Sequence, residues 1–349
     1  MKITRITPFL AARYLLVRVY TDEGLTGNGE AGLWAHHKTV HQALQEISGY
    51  YVGKDPLRME HHYQVVSRNT HFMGAVLSAA ISAIDMALWD LLGKSAGLPV
   101  YQLLGGQVRD RVLLSHSLSM GDPAEIAAQA RRLVAQGYKT LKAKIGRDIE
   151  ADIDVLEAVR SEVGNKITLR VDANMGWPSA KEAVRHIEEI SVFDLELVEQ
   201  PLPPDDVEGL RFVRERVDLP IMADESIWTP HDAMHCIRQQ AVDVFNVYVS
   251  EAGGLGSAAR IFAIAEAARL PCIIGSMPEL GIGTAAQAHL AFAMPNLGYA
   301  SDVNGCVYHS GDVINEKLPI EDGYMLLPSG PGLGVSLDEA ALDEYRIDR

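Results

Sequence analysis

Cysteine is scarce in this chain. Only Cys236, Cys272 and Cys306 occur, and their spacing suits neither a disulfide framework nor a zinc cluster. That excludes the small disulfide-stapled folds and points to a reducing, cytoplasmic compartment. Cations are also in deficit, with 31 Lys and Arg against 46 Asp and Glu and a formal charge of −15. This balance argues against non-specific binding to nucleic acid or to an anionic membrane, so neither partner is expected. Nowhere do about 18 apolar residues run unbroken, so no transmembrane helix is expected. The opening MKITRITPFLAARYLLVRVY has no continuous apolar core leading to a small-residue cleavage site, so no signal peptide is expected.

What remains is an ordinary globular composition, 48% hydrophobic and 22% charged over 349 residues, enough for one large domain or two smaller ones. Residues 1 to about 30 alternate like strands, with turn signals at TDEG and TGNG, and predict a small antiparallel sheet. Helix follows from His37 to about Tyr51 and again from Asp55 to Gly93. The stretch AVLSAAISAIDMALWDLLG is apolar around most of its circumference and should be buried. From residue 111 strand and helix patterns alternate. The strand candidates are VLLSHSL, TLKAKIG, TLRVDAN, LELVEQPL, LPIMADES, VDVFNVYV, PCIIGSM and LGYASDV. Alanine-rich amphipathic segments lie between them, such as residues 123–136, which Asp122 is placed to cap. Eight strands with intervening helices predict an α/β fold with a closed parallel barrel. A doubly wound sheet is the competitor, but no glycine-rich phosphate fingerprint follows the first strand. The expected division is an α+β capping domain over residues 1–110, completed by 318–349, and a barrel over 111–317.

The polar residues at the strand ends carry the chemistry. Side chains alternate along a strand, so Lys142 and Lys144 share one face of TLKAKIG while Leu141, Ala143 and Ile145 share the other. The apolar face meets the helices, which turns the lysines inward. The same parity sends Asp172 and Asn174 inward, and the next strands offer Glu199, Asp224, Asn246 and Tyr248. Lys144, Asp172, Glu199, Asp224 and Tyr248 follow at intervals of 28, 27, 25 and 24 residues, each one helix-plus-strand repeat. They are therefore expected at one level, the C-terminal mouth where barrel enzymes keep their sites. Three converging carboxylates repel unless a cation sits among them, and an all-oxygen set suits Mg²⁺. Crowding by a second ammonium and the metal lowers a lysine's pKa and supplies a base. The matching reaction is removal of a proton α to a carboxylate, so a small-molecule carboxylate is the expected partner.

These segments resemble the enolase superfamily, specifically its mandelate racemase and muconate lactonizing enzyme branch. SAIDMALWDLLGK, LKAKIG, VDAN, VEQP, MADES and EAGGLGSA are similar to that family's motifs, in family order and over essentially the whole chain. The resemblance implies a (β/α)7β barrel of the TIM type with a capping domain. It implies Asp172, Glu199 and Asp224 as metal ligands and Lys144 as the base. One position departs. Lactonizing and epimerase members end strand six in a lysine, five residues before the first glycine of GG. Counting back from Gly253 reaches Tyr248 here. Mandelate racemase relatives place Asp there, with a histidine ending strand seven, where this chain reads IIGSMPE. A one-base β-elimination of water from a hydroxylated or sugar acid suits what is left. A racemase, epimerase or cycloisomerase and a silent carboxylate-binding barrel are the alternatives.

Several residues carry two readings at this stage. Tyr248 either takes part in catalysis or fills the barrel mouth. Asn174 either orients a ligand or touches substrate, and Glu225, by parity, supports from behind. His116 either faces the pocket or is packed and hydrogen-bonded. Glu279 and Asp302 either contact polar groups of the substrate or cap the next helix. With the first hairpin short, Trp34–His37 and His71–Gly74 are the lid candidates. Asp85 and Trp89 are expected to hold cap to barrel. Apolar helices around a barrel also suit a homo-oligomer.

Overall fold

The computed structural model describes residues 1–32, 36–68 and 73–347. It opens with three antiparallel strands, β1 (Ile3–Ala11), β2 (Tyr14–Thr21) and β3 (Thr26–Ala31), in that order. Only Ala12 and Arg13 join the first two, so the hairpin is indeed short. TGNG, read above as a turn, is instead the body of β3. A Cβ on Gly27 would meet the Ala87 carbonyl oxygen at 2.0 Å, and one on Gly29 the Ala83 carbonyl oxygen at 1.9 Å. Glycine serves here for close approach of strand to helix, not for chain reversal.

Three helices follow: α1 (His37–Tyr51), α2 (Met59–Ser67) and α3 (Ala75–Ala96). Helix α3 is long and apolar enough to cross a membrane, but most of it is buried inside the protein, against β3, α1 and the barrel. Its apolar circumference is used up by these neighbours. Left-handed Gly97 ends it.

After α4 (Val100–Leu103) and β4 (Arg111–Leu113) the barrel begins. Its parallel strands are β5 (Ser115–Ser117), β6 (Thr140–Lys144), β7 (Thr168–Asp172), β8 (Leu195–Glu199), β9 (Ile221–Ala223), β10 (Val244–Val247) and β11 (Cys272–Ile274). They pair in sequence order, β5 at one edge and β11 at the other. The connecting helices are α5 (Pro123–Ala135), α6 (Ile149–Val163), α7 (Ala180–Ile190), α8 (Val207–Arg214), α9 (Pro230–Gln239) and α10 (Leu255–Ala267). Helix α11 (Gly281–Ala293) follows β11. Asp122 caps α5 as its sequence suggests, accepting from Ala124 N at 2.9 Å. The eighth expected strand is an irregular stave. Leu297 bridges Cys272 and Ser301 bridges Leu114, while Asp302 N donates to the Ile274 carbonyl at 2.8 Å. These contacts close the ring between β11 and β5, giving a (β/α)7β barrel with a small antiparallel cap.

The C-terminal segment does two things where one was expected. Strands β12 (Ile320–Glu321) and β13 (Tyr324–Leu326) pair with β4, beside the barrel. Only then does the chain return to the cap through α12 (Glu339–Tyr345). Ala12 N donates to Tyr345 O at 2.8 Å, and Arg18 pairs with Glu339 at 2.6 Å. Asp85 on α3 packs at the N-terminus of α10 and accepts from Gly256 N at 3.5 Å, fastening cap to barrel.

Candidate active site

Strand register sets the site. Lys144 pairs with Asp172, and Asp172 with Glu199, so successive staves deliver one functional side chain each at the same level. Asp172, Glu199 and Asp224 are buried, and one oxygen from each lies within 4.8 Å of the others. Burial, then the charges of Glu225 and Glu199, push the Asp224 carboxyl well above its usual value. Burial disfavours the charged form, and the neighbouring carboxylates repel it further. An oxygen-only trio of this kind fits a hard divalent cation.

Neighbours fix each acid. Gln200, the residue after Glu199, accepts from Asp224 N at 2.9 Å and donates to Leu202 O and Ser226 Oγ, both at 2.8 Å. Asn246 donates to Glu199 Oε1 at 2.9 Å. Lys144 Nζ reaches Asp172 Oδ2 at 2.5 Å and Asn174 Oδ1 at 2.8 Å, while Asn174 donates onward to Glu225 Oε1 at 3.2 Å. Asn174 thus ties the base to the ligand set from a left-handed position at φ 41°.

Lys142 sits deeper and is almost fully buried. Its Nζ lies 2.8 Å from Asp302 Oδ2, 3.2 Å from Glu199 Oε2 and 3.9 Å from Asp172 Oδ2. Burial works against its charge, but the three acids outweigh it and hold the ammonium well above the usual lysine range. Lys142 is therefore a fixed positive charge beside Lys144. Asp302 also takes Arg170 Nη2 at 2.9 Å and a hydrogen bond from Ser115 Oγ. Its place as a substrate contact is corrected by this network, in which both its oxygens are already engaged.

Tyr248 is buried and donates to Asp224 Oδ2 at 3.3 Å, so it stands at the metal trio. Burial and then the acids Asp224, Glu199, Glu251 and Asp302 push its phenol well above the ordinary value. Glu279, just past β11, is buried and accepts from Ser276 Oγ. His116 pairs in register with Leu141, on the face opposite Ser115 and Lys142. Its ring packs on Tyr308 (4.4 Å between centroids) and Tyr138 (5.0 Å), and Nδ1 bonds the Ser117 carbonyl. The strand's own alternation thus turns His116 away from the pocket, a correction to the reading that had it meeting substrate. Trp34 and His71 lie outside the described residues, whereas His36 is exposed at the start of α1.

Arg170, Ser115, Gln200, Ser250 and Glu251 escaped the sequence reading. Arg170 had a signal, since it shares the parity of Asp172 in TLRVDAN. Glu251 opens the quoted motif EAGGLGSA, but it sits in a turn after β10, where strand parity does not say which way it faces.

A closed parallel barrel with three buried acids and a lysine at its mouth defines a divalent-metal enzyme acting on small anions. Residues 2–105 match the family Mandelate racemase / muconate lactonizing enzyme, N-terminal domain, and residues 125–341 match Enolase C-terminal domain-like. The chain belongs to the mandelate racemase and muconate lactonizing enzyme branch of the enolase superfamily. It is 39% identical to a hydrophobic dipeptide epimerase of Enterococcus faecalis over 92% of this chain and 91% of that one. It is 33% identical to a D-galactonate dehydratase of Ralstonia pickettii over 99% and 94%. Among solved structures, a dipeptide epimerase from Enterococcus faecalis V583, complexed with Mg and the dipeptide L-Leu-L-Tyr, superposes with a TM-score of 0.87. That pair is 33% identical over 96% of this chain and 100% of that one. Relatives of similar likeness therefore include both isomerases and lyases, which share Mg-dependent abstraction of an α-proton.

Proposed function

We propose that this protein is a Mg²⁺-dependent lyase that dehydrates a hydroxylated or sugar carboxylic acid. Asp172, Glu199 and Asp224 would hold the metal, which their buried, close-set carboxylates suit. When bound, Mg²⁺ supplies the positive charge that offsets the enediolate oxygens formed as the α-proton leaves. Lys144 takes that proton, and Asp172 and Asn174 aim its Nζ. Lys142, held charged, adds a second fixed cation beside the substrate carboxylate. The electron pair of the Cα–H bond then forms the Cα=Cβ bond as the Cβ–O bond breaks. The hydroxyl departs as water with a proton from Lys144 or Tyr248.

The observation that carries this reading is Tyr248, bonded to Asp224 where an isomerase of this family needs a second base. A phenol held above its ordinary pKa keeps its proton, so it can donate but cannot readily abstract. The competing reading is epimerisation, supported by 39% identity to the hydrophobic dipeptide epimerase. Tyr248 then has to serve the opposite face of the α-carbon. One experiment separates the two. Protein and Mg²⁺ are incubated in D₂O with aldonic, aldaric, hydroxy and dipeptide acids, and products are read by mass spectrometry. Loss of water supports the lyase. Deuterium gain with the carbon skeleton and hydroxyls intact replaces it with the isomerase. No exchange with any acid overturns both.

A further inference from the structure

The mouth of the barrel holds acids that the proposed reaction does not use. Ser250 and Glu251 follow β10 and are almost fully buried; Ser250 Oγ and Glu251 Oε2 have no hydrogen-bond partner among the described residues. Glu279, from the neighbouring stave, joins them. Ser250 and Glu279 meet the cap at Gly32, just beyond β3. A Cβ on Gly32 would lie 2.8 Å from Ser250 Oγ and 2.9 Å from Glu279 Oε1, so these two acceptors face the cradle left by a missing side chain. Glu251 is pushed up to about 8 by burial and then by two other acids, Glu225 and Glu279. No lysine or arginine is among the groups acting on it. The cluster also borders the chemistry, because Glu251 acts on both Asp224 and Tyr248.

Buried acceptors without donors cost about 1–3 kcal/mol each, and more when charged. A structure retains such a cost where a ligand removes it. Lys142 is already engaged by Glu199 and Asp302, and Lys144 lies against Asp172. A substrate hydroxyl would satisfy one acceptor and leave the negative charge uncompensated. A second carboxylate on the substrate would be repelled. An ammonium group brings three N–H donors and the missing positive charge.

We propose that Ser250 and Glu279, at the cradle beside Gly32, together with Glu251, the residue after Ser250, bind a protonated amine of the substrate, which is therefore a zwitterion with its carboxylate at the metal trio. This rests on the reading that the carboxylate binds at Asp172, Glu199 and Asp224, but not on whether elimination or epimerisation follows. It selects amino-bearing acids over plain aldonic acids and over diacids.

The test is binding of straight-chain amino carboxylates, with the amine on carbon two through six, each beside its des-amino counterpart. Affinity for the Mg²⁺-loaded protein is read by ligand-observed NMR. One chain length should bind at least tenfold more tightly with the amine than without it. That preference should fall to within about twofold in Glu251→Gln, and likewise in Gly32→Ala, which fills the cradle without changing any charge. The ratio is taken within each variant, so a variant that fails to fold leaves the other to decide. If the plain acids bind and no amine is preferred, the subsite is wrong and the carboxylate reading stands. If the preference survives both variants, the amine binds elsewhere. If neither series binds, the carboxylate reading falls and takes the subsite with it.

Discussion

Asp302→Asn should destabilise the barrel by far more than a typical polar substitution. In the native protein the Asp302 carboxylate neutralises two buried cations, Lys142 Nζ at 2.8 Å and Arg170 Nη2 at 2.9 Å. All three side chains are almost fully buried. Asparagine keeps the shape, removes the charge and points an NH₂ group at groups that are themselves only donors. Glu199 at 3.2 Å still offsets Lys142, but Arg170 is left with the Ala300 carbonyl at 2.8 Å and Ser115 Oγ. Removing one partner of a buried pair costs roughly 3–5 kcal/mol. Unfolding entropy of about 2.1 cal/mol/K per residue over this length converts that to a fall in Tm of roughly 4–7 °C. Differential scanning calorimetry at pH 7.5 with excess Mg²⁺ reads it. The deficit has a pH signature. Burial alone raises the Asp302 carboxyl, but Lys142 and Arg170 outweigh it and hold the group far below the usual carboxylate range. Its contribution is thus complete above the unfolded value near 4 and is lost as pH falls below that. The gap between variant and native protein should narrow below about pH 4. A Tm change under 1 °C, or a gap that widens in acid, would refute the ion-network reasoning.

Tyr248→Phe should leave α-proton exchange within about tenfold of the native rate, because Lys144 is the base; a loss beyond about 10²-fold makes the phenol indispensable. Asp224→Asn should weaken Mg²⁺ binding at least tenfold by calorimetry. The same change should stabilise the metal-free protein by on the order of 1 kcal/mol at pH 8, since Glu199 and Glu225 then face no buried like charge. Stability of the metal-free protein should fall from about pH 5 to about pH 8. Burial, with like charges for the last two, raises Asp85 and Glu225 to about 7 and Glu251 to about 8. The folded state therefore holds protons that the unfolded chain has already released, and each costs up to about 1.4 kcal/mol per pH unit until its folded pKa is passed. Thermal midpoints in EDTA check this, and a midpoint that rises over the same range contradicts it.

The barrel was legible because its signals are periodic. Alternation in TLKAKIG and the repeat spacing put Lys144, Asp172, Glu199 and Asp224 at one level; the register agrees for the first three, while Glu199 pairs with Met222 and Asp224 follows two residues on, just past its strand. Legibility failed where a residue's meaning comes from a distant chain segment. Gly27 and Gly29 read locally as a turn, yet their constraint is the backbone of α3 lying against β3. His116 sits on a three-residue strand too short to show its own parity, and only pairing with Leu141 reveals its outward face. Asp302 reads as an available strand-end acid until Lys142, Arg170 and Ser115, from three other staves, are seen to engage it. Nothing in the turn SEAGG foretells that Ser250 meets Gly32 from the cap. The eighth stave illustrates the opposite case. LGYASDV reads as a strand and does close the ring, through single bridges at Leu297 and Ser301.

Lys144→Ala decides whether the metal trio and its neighbouring lysine form one machine. Deuterium entry at the α-carbon of the best acid from the D₂O panel is followed by NMR, and Mg²⁺ affinity is measured on the same samples. Exchange should fall by about 10²–10⁴ while the protein still binds Mg²⁺. Exchange at the native rate in that variant would place the base elsewhere and undo the mechanism.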